Sequence, residues 1–339
     1  MLKSVSYRPK GNEGYVYTIY GSNKYLKYVL ASLRTLRRYD KKRPVALVCE
    51  QNHIALLEKL GLKGLFEVLV SLQPSHRSII GFKHNIDSYL VFEKNIFLDC
   101  DILWCKNPDG LWQSLAPYSF TITGTLRADC FFGARNSPLI LIDILLNRRQ
   151  RTLNKFGLTH LPRVQSGIIY AADRRLTEKV CTLAKYFFFQ KHKTHFVRRR
   201  LPDGKTEESD EWAFAMALSK LKLPVIPWYN GCHSPQIDYI ESHTTHDDSF
   251  REVQCLIYTH EFVNNLRGIP NYTLRKWLIR GCGIISKWRD YKRVKPYSIH
   301  FGWKHEKQPF LSFVEKNWTH ILKEQKMKNK KSYIGFYKS

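Results

Sequence analysis

The sequence predicts an α/β fold: a Rossmann-like, mixed but mostly parallel sheet flanked by helices, with a C-terminal helical extension. Three observations predict it. Strand-like and helix-like patterns alternate through residues 15–70, a buried apolar strand then ends in two acids, and helical periodicity returns near the C-terminus.

Tyr15-Val16-Tyr17-Thr18-Ile19-Tyr20-Gly21 is β-branched and aromatic and ends in glycine, which reads as a buried strand. Tyr25 to Leu36 places apolar residues at 26, 29, 30, 33 and 36, the spacing of one helix face. Pro44 to Cys49 reads as a second strand, His53 to Leu60 as a short helix stopped by Gly61, and Phe66 to Val70 as a third strand. Strands separated by helices require crossover connections, which are right-handed and make neighbouring strands parallel. Ligands of such sheets bind beyond the carboxyl ends of the strands. Ile86 to Val91 is helix-like and leads into the apolar strand Lys94-Asn95-Ile96-Phe97-Leu98. Further strands are expected at Ser119–Thr125, Ser166–Ala171 and Val253–Tyr258. Further helices are expected at Leu139–Asn147, Thr177–Phe188, Glu211–Leu221, Lys276–Trp288 and Phe310–Glu324. Tyr229 to Ser249, rich in His, Ser, Asp and Pro, reads as loop.

The chain has 339 residues, of which 43% are hydrophobic, so it can bury a real core and is globular rather than disordered. Lys and Arg number 55 against 29 Asp and Glu, a formal charge of +26 that implies an anionic partner: nucleic acid, an acidic membrane surface, or phosphorylated small molecules. No apolar run approaches the roughly 18–20 residues of a membrane span. Residues 1–10 hold no apolar signal core, so a cytoplasmic location is expected rather than an integral or secreted one. The eight cysteines form no C-x-x-C pair and lie at no zinc-finger spacing, and they read as reduced thiols.

The most informative feature is Asp99-Cys100-Asp101 at the end of the strand Lys94–Leu98. Residues i and i+2 of a strand point to one side, so the two carboxylates can converge, repel each other and require a cation. Hard oxygen ligands suit Mn²⁺ or Mg²⁺, which would neutralise a diphosphate leaving group. Asp-x-Asp triplets are also common in loops, and ion pairs with Lys94 or Lys106 are the plain alternative. Acids inside an apolar run nonetheless cost several kcal/mol unless exposed or compensated, which favours a cation.

Leu98-Asp99-Cys100-Asp101-Ile102-Leu103-Trp104, with Leu111-Trp112 downstream, resembles the DxD segment of GT-A fold nucleotide-sugar glycosyltransferases. It most resembles glycosyltransferase family 8, the glycogenin and lipooligosaccharide galactosyltransferase group. Tyr297-Ser298-Ile299-His300-Phe301-Gly302, followed by Lys304, Lys307, Pro309 and Phe310, resembles that family's late His-aromatic-x-Gly…Lys-Pro-Trp motif. The resemblance implies that His300 joins Asp99 and Asp101 as a metal ligand, and that Gly302 and either Lys304 or Lys307 meet the diphosphate. The lysine spacing departs from the family pattern, which leaves both lysines as candidates. Gln165-Ser166-Gly167 resembles the family's Asn-x-Gly strand near the donor sugar. Ser209-Asp210-Glu211 resembles the acidic helix start whose side chains hold sugar hydroxyls. By the same analogy Thr18 and Tyr20 line the nucleoside pocket, Asp99 also touches the donor, and Lys83 reaches the phosphates.

The function so implied is metal-dependent transfer of a hexose from a nucleotide-diphosphate sugar, a UDP-sugar by analogy, to a carbohydrate or lipid-linked acceptor. The resemblance implies retention, and an inverting enzyme would instead use Asp210 or Glu211 as the base for the acceptor hydroxyl. Asp210, Glu211 and Gln165 are the candidate catalytic groups. The catalytic domain is expected over residues 12–310, and 311–339 form a basic, aromatic extension. Basic patches at Lys191–Arg200 and Lys323–Ser339, the latter with interleaved aromatics, suit the anionic inner face of a membrane. The same patches suit nucleic-acid backbones, and a nuclease-like protein using the two acids for metal is the competing reading, with Asp129 and Asp210 as its further acids. No RNA- or DNA-binding signature accompanies them. A sugar-binding relative without activity is the third reading, opposed by the intact Asp99, Asp101 and His300.

Overall fold

A computed structural model describes residues 12–126, 128, 145–196, 199–200, 206–207, 209–228, 234–258, 260, 263, 266, 269, 271–282, 284–285 and 290–336. The strands are β1 (Glu13–Thr18), β2 (Val45–Cys49), β3 (Val68–Ser71), β4 (Lys94–Leu98), β5 (Ile102–Trp104), β6 (Phe120–Thr125), β7 (Arg163–Ala171), β8 (Arg199–Arg200), β9 (Thr206–Glu207), β10 (Ile226–Pro227), β11 (Gln236–Asp238), β12 (Thr244–His246), β13 (Val253–Tyr258), β14 (Tyr291–Val294) and β15 (Ser298–His300). The helices are α1 (Lys24–Arg37), α2 (Gln51–Lys59), α3 (Ile79–Lys83), α4 (Asp109–Leu115), α5 (Arg148–Phe156), α6 (Arg174–Phe189), α7 (Glu211–Leu221), α8 (Tyr272–Cys282) and α9 (Gln308–Phe336).

The principal sheet is mixed and mostly parallel, in the order β10-β6-β7-β4-β1-β2-β3. Its antiparallel member is β7, which pairs with β4 and with β6. The alternating patterns of residues 15–70 thus become β1-α1-β2-α2-β3, with β2 and β3 parallel in the register Ala46 to Val68. Gly61, which stops α2, has a φ of 65°, a left-handed turn that suits glycine.

Two compact units form. The first takes the chain up to Val16, Gln73–Leu98 and Gly110–Asn230. In it α6 packs on α7, and α7, buried over Trp212–Ser219, packs on β7. The turn into β4 is closed by the buried Asn95, whose Oδ1 accepts from the amides of Val91 (3.0 Å) and Phe92 (2.9 Å). Ile86–Tyr89, helix-like in sequence, is only a single tight 3₁₀ turn; the preceding α3 carries the helix, and Ser78 caps it by accepting from the Gly81 amide at 2.8 Å.

The second unit comprises Tyr17–Leu72, Asp99–Asp109 and the chain from Gly231 onward. Its core joins Tyr28 and Ala31 of α1 to Leu103, Ile237, Ile257, Ile299, Phe301, Phe310 and Phe313. Residues 229–249, read as loop from composition, contain two strands among their described part: β11, parallel to β15, and β12, antiparallel to β13. Their apolar signal is only Ile237, Tyr239 and Ile240, too short for a periodicity to stand out. Leu139–Asn147 lies outside the described residues up to 144, Lys276–Trp288 at 283 and 286–288, and Asp129 entirely.

Candidate functional site

The second unit builds its site from a three-stranded sheet in the order β11-β15-β5. The chain leaves β4, passes Asp99-Cys100-Asp101, and re-enters sheet structure at once as β5. β5 is antiparallel to β15, with Ile102 opposite His300, and the Phe301 amide donates to the Asp101 carbonyl at 3.0 Å. On its other edge β15 is parallel to β11, with Asp238 opposite His300. Cross-strand partners share a sheet face, so this register sets Asp238 beside His300, while Asp101, in the turn just before Ile102, reaches the other ring nitrogen. Between the two acids, in the turn that joins β4 to β5, Cys100 packs against the apolar core.

The resulting cluster is tight. One ligand atom each from Asp99, Asp101 and His300 lies within 4.8 Å of the others. His300 Nε2 is 3.6 Å from Asp99 Oδ2 and 3.4 Å from Asp101 Oδ1. His300 Nδ1 lies 2.8 Å from Asp238 Oδ1, a carboxylate oxygen that can only accept, so Nδ1 carries hydrogen and Nε2 is turned toward the acids. Trp303 Nε1 donates to the second oxygen of Asp238 at 3.2 Å. Lys307 Nζ donates to Asp101 Oδ2 at 2.6 Å. Gly302 is required by packing: a Cβ there would meet His300 Cε1 at 2.7 Å.

Electrostatics follow from burial. Desolvation is the largest influence on Asp101 and raises its pKa, but His300 and Lys307 outweigh it and hold the carboxyl well below its usual range. Burial likewise disfavours charged His300, yet Asp101 and the hydrogen bonds of Asp101, Asp238 and Asp99 lift its pKa well above the ordinary value. Lys307 is raised by Asp101 against its own desolvation.

The residues fit a divalent cation. At an effective dielectric of 20, two like charges about 5 Å apart repel by about 3 kcal/mol. Three carboxylates here face one ammonium, and a divalent ion with a neutral His300 brings the cluster to neutrality. The donor set of two carboxylates and one imidazole suits Mn²⁺ or Mg²⁺ more than thiophilic metals. Metal and proton compete for His300 Nε2. Because the proton is held above the ordinary histidine pKa, Mn²⁺ affinity is expected to rise with pH through neutrality by up to about tenfold per unit. It should level off once His300 is neutral. Calorimetric titrations in buffers of different ionisation enthalpy check this through the proton released.

The first unit gathers a second set of sequence candidates. Lys83, the last residue of α3, donates to Ser166 Oγ (2.8 Å) and to the Ser166 carbonyl (3.2 Å), and stands 3.6 Å from Asp210 Oδ2. Asp210 is buried, and His84 Nε2 faces its carbonyl at 3.4 Å. Burial, against the pull of Asp210, keeps the His84 pKa low, so the ring adds no second cation beside Lys83. Ser166 and Gln165 are presented by an irregularity in β7. Ile122 pairs with Ile169 and Thr123 with Gln165, so Ser166, Gly167 and Ile168 are inserted opposite one step of β6. Gln165 Oε1 accepts from Trp228 Nε1 at 3.4 Å, and Arg163 lies over the Trp228 ring. Glu211 opens α7, its amide accepted by Ser209 Oγ at 3.3 Å.

Three further candidates stand elsewhere. Thr18 ends β1, and its buried Oγ1 makes no hydrogen bond among the described residues. Tyr20 follows it, half-buried, just before Gly21, whose amide donates to Glu50. Lys304 is exposed at the start of a short turn, whereas Lys307 meets Asp101. Asp238 and Trp303 carry no motif in the sequence. Asp238 lies in the apparent loop, and its signal is a lone acid in the apolar stretch Ile237–Ile240.

No protein-family model matches the sequence, and no curated protein matches it. Solved structures similar to this chain include the glycosyltransferase GlyE of Streptococcus pneumoniae TIGR4, at 12% identity and a TM-score of 0.48, covering 94% of this chain and 64% of that one. The chain therefore spans less than two thirds of GlyE. Another is the galactosyltransferase LgtC in complex with donor and acceptor sugar analogs, at 10% identity and a TM-score of 0.49, covering 92% of this chain and 95% of that one. A third is mouse xyloside xylosyltransferase 1 in its apo form, at 12% identity and a TM-score of 0.43, covering 68% of this chain and 88% of that one. All three are glycosyltransferases.

Proposed function

We propose that this protein is a metal-dependent glycosyltransferase of the GT-A, family 8 type, which moves a hexose from a UDP-sugar to a carbohydrate or lipid-linked acceptor with retention. The observation that carries the reading is the convergence of Asp99, Asp101 and His300 within 4.8 Å, from segments far apart in sequence, with Lys307 beside them. When bound, Mn²⁺ or Mg²⁺ supplies Lewis-acid stabilisation of the departing diphosphate. Asp99, Asp101 and His300 hold it, Asp238 fixes the His300 ring, and Lys307 adds a cation for the leaving phosphates. Lys307 is preferred over Lys304 because it already meets the metal-site acid.

Thr18 and Tyr20 line the nucleoside pocket, and Lys83 with Gly302 contributes to phosphate binding. Ser166, Gly167 and Gln165 border the sugar. Asp210 and Glu211 hold its hydroxyls and flank the anomeric carbon. In the reaction the anomeric C–O bond to the diphosphate breaks and the acceptor oxygen bonds to the same carbon on the same face. The acceptor hydroxyl proton passes to the departing phosphate oxygen, so no further co-reactant is needed. The catalytic domain covers residues 12–310 and the basic extension 311–339. The basic patches hold the protein at an anionic membrane surface, where lipid-linked acceptors lie.

The test is thermal stabilisation by UDP with and without Mn²⁺, followed by a donor-hydrolysis screen. A ligand at about 100 times its Kd stabilises by about 2.7 kcal/mol, an easily read shift in Tm. Stabilisation by UDP that requires Mn²⁺, with turnover of one nucleotide sugar, is expected. Stabilisation by oligonucleotides alone, or UDP binding without turnover of any donor, overturns the proposal.

A further inference from the structure

We propose that the outer face of α8, with Ile284 and Ile285 after it, is the surface by which this protein docks on an anionic lipid membrane. The inference rests on the peripheral-membrane reading above and adds to its basic patches an apolar face that enters the lipid.

Leu274, Trp277 and Leu278 lie at the i, i+3, i+4 spacing of one helix face, and all three are exposed. Trp277 is 66% exposed and Ile284 85%, values unusual for side chains of this size. The apolar face cannot turn inward, because the other side of the helix is pinned. Arg275 is 2% exposed and pairs with Glu306 at 2.8 Å, and its Nη1 also donates to the Ile269 carbonyl at 3.2 Å. Glu306 is held in turn by the Glu241 amide at 3.0 Å. Rotating α8 to hide Trp277 would pull a buried charge pair apart, leaving each charge uncompensated. The same pair ties α8 to the turn just before Lys307.

The chemistry of the surroundings selects the occupant. Lys276 and Arg280 are exposed on α8 itself. From residue 271 to 289 the sequence contains no acid. Exposed Trp, Leu and Ile edged by Lys and Arg are what a helix lying in a lipid headgroup layer presents: the rings and aliphatic chains enter the acyl boundary and the cations meet lipid phosphates. A second copy is disfavoured, since two such faces would bring like charges together in a chain already at +26. No described helix is long and apolar enough to cross a membrane, so the contact lies on the surface.

The full chain is tested by co-sedimentation with vesicles of phosphatidylcholine alone and of phosphatidylcholine with phosphatidylglycerol. Wild type is expected to bind the anionic vesicles, more weakly at high salt, with a blue shift in tryptophan emission. Leu274→Ser, Trp277→Ser and Leu278→Ser combined are expected to weaken binding about tenfold or more, because each removes buried apolar area. Melting should be unchanged, since all three side chains are exposed. Lys276→Glu with Arg280→Glu gives an independent variant with the same expected direction. If wild type binds neither vesicle, the membrane reading and this inference fall together. If wild type binds anionic vesicles and both variants bind as well as wild type, this inference alone falls. A dimer that the serine variant disrupts, with vesicle binding intact, also overturns it.

Discussion

Asp101→Ala is expected to abolish metal-dependent sugar transfer, lowering kcat/KM by about 10³-fold or more. Asp101 serves two partners at once: it closes the cluster with His300 at 3.4 Å and anchors Lys307 at 2.6 Å. Removing it takes one of three ligands from the cation and frees the proposed diphosphate lysine to move. Several kcal/mol of leaving-group stabilisation go with them, which is the expected rate loss expressed as energy. The fold should survive. His300 keeps Asp238, and the backbone link from Phe301 to Asp101 uses the carbonyl, which alanine retains. Lys307 loses its buried counter-charge, so a stability loss of about 1–3 kcal/mol is expected. Donor hydrolysis and transfer in Mn²⁺, with melting followed by circular dichroism, measure both effects. Near-normal turnover in a folded Asp101→Ala protein would refute the site.

Asp238→Ala is expected to weaken Mn²⁺ binding by about 10–100-fold without removing any ligand. Asp238 accepts from His300 Nδ1 and from Trp303 Nε1, so it sets both the tautomer and the angle of the ring. Alanine leaves the imidazole free to rotate or to carry its hydrogen on Nε2, the nitrogen that must face the cation. Asp238→Asn keeps an oxygen acceptor without the charge and should recover part of the loss. Mn²⁺ titration monitored by electron paramagnetic resonance separates these cases. Equal affinities for wild type, Asn and Ala would show that Asp238 has no part in orienting His300.

The elements that sequence located best are those whose burial pattern is simple. Lys94–Leu98, Glu211–Leu221 and Val253–Tyr258 have the same bounds in sequence and structure, because each is centred on a run of apolar residues that is buried. Asp99, Asp101 and His300 were legible through motif context, and the structure brings them together. Asp238 was not, because a three-residue strand such as β11 carries too few residues to show alternation. Its position depends on pairing with β15, and long-range register leaves no local mark. The inserted Ser166-Gly167-Ile168 step of β7 was hidden in the same way: the residues look like an ordinary strand start, and only the pairing with β6 shows the extra length.

The β11-β15-β5 sheet also bears on how the chain matures. Its three strands begin at residues 236, 298 and 102, so a nascent chain carries Asp99, Asp101 and Asp238 before it carries His300, and the cluster cannot close until β15 has been synthesised. An ion captured there would select chains that have reached β15 over shorter ones, and chelation during refolding should slow the docking of β15 more than the formation of the earlier elements.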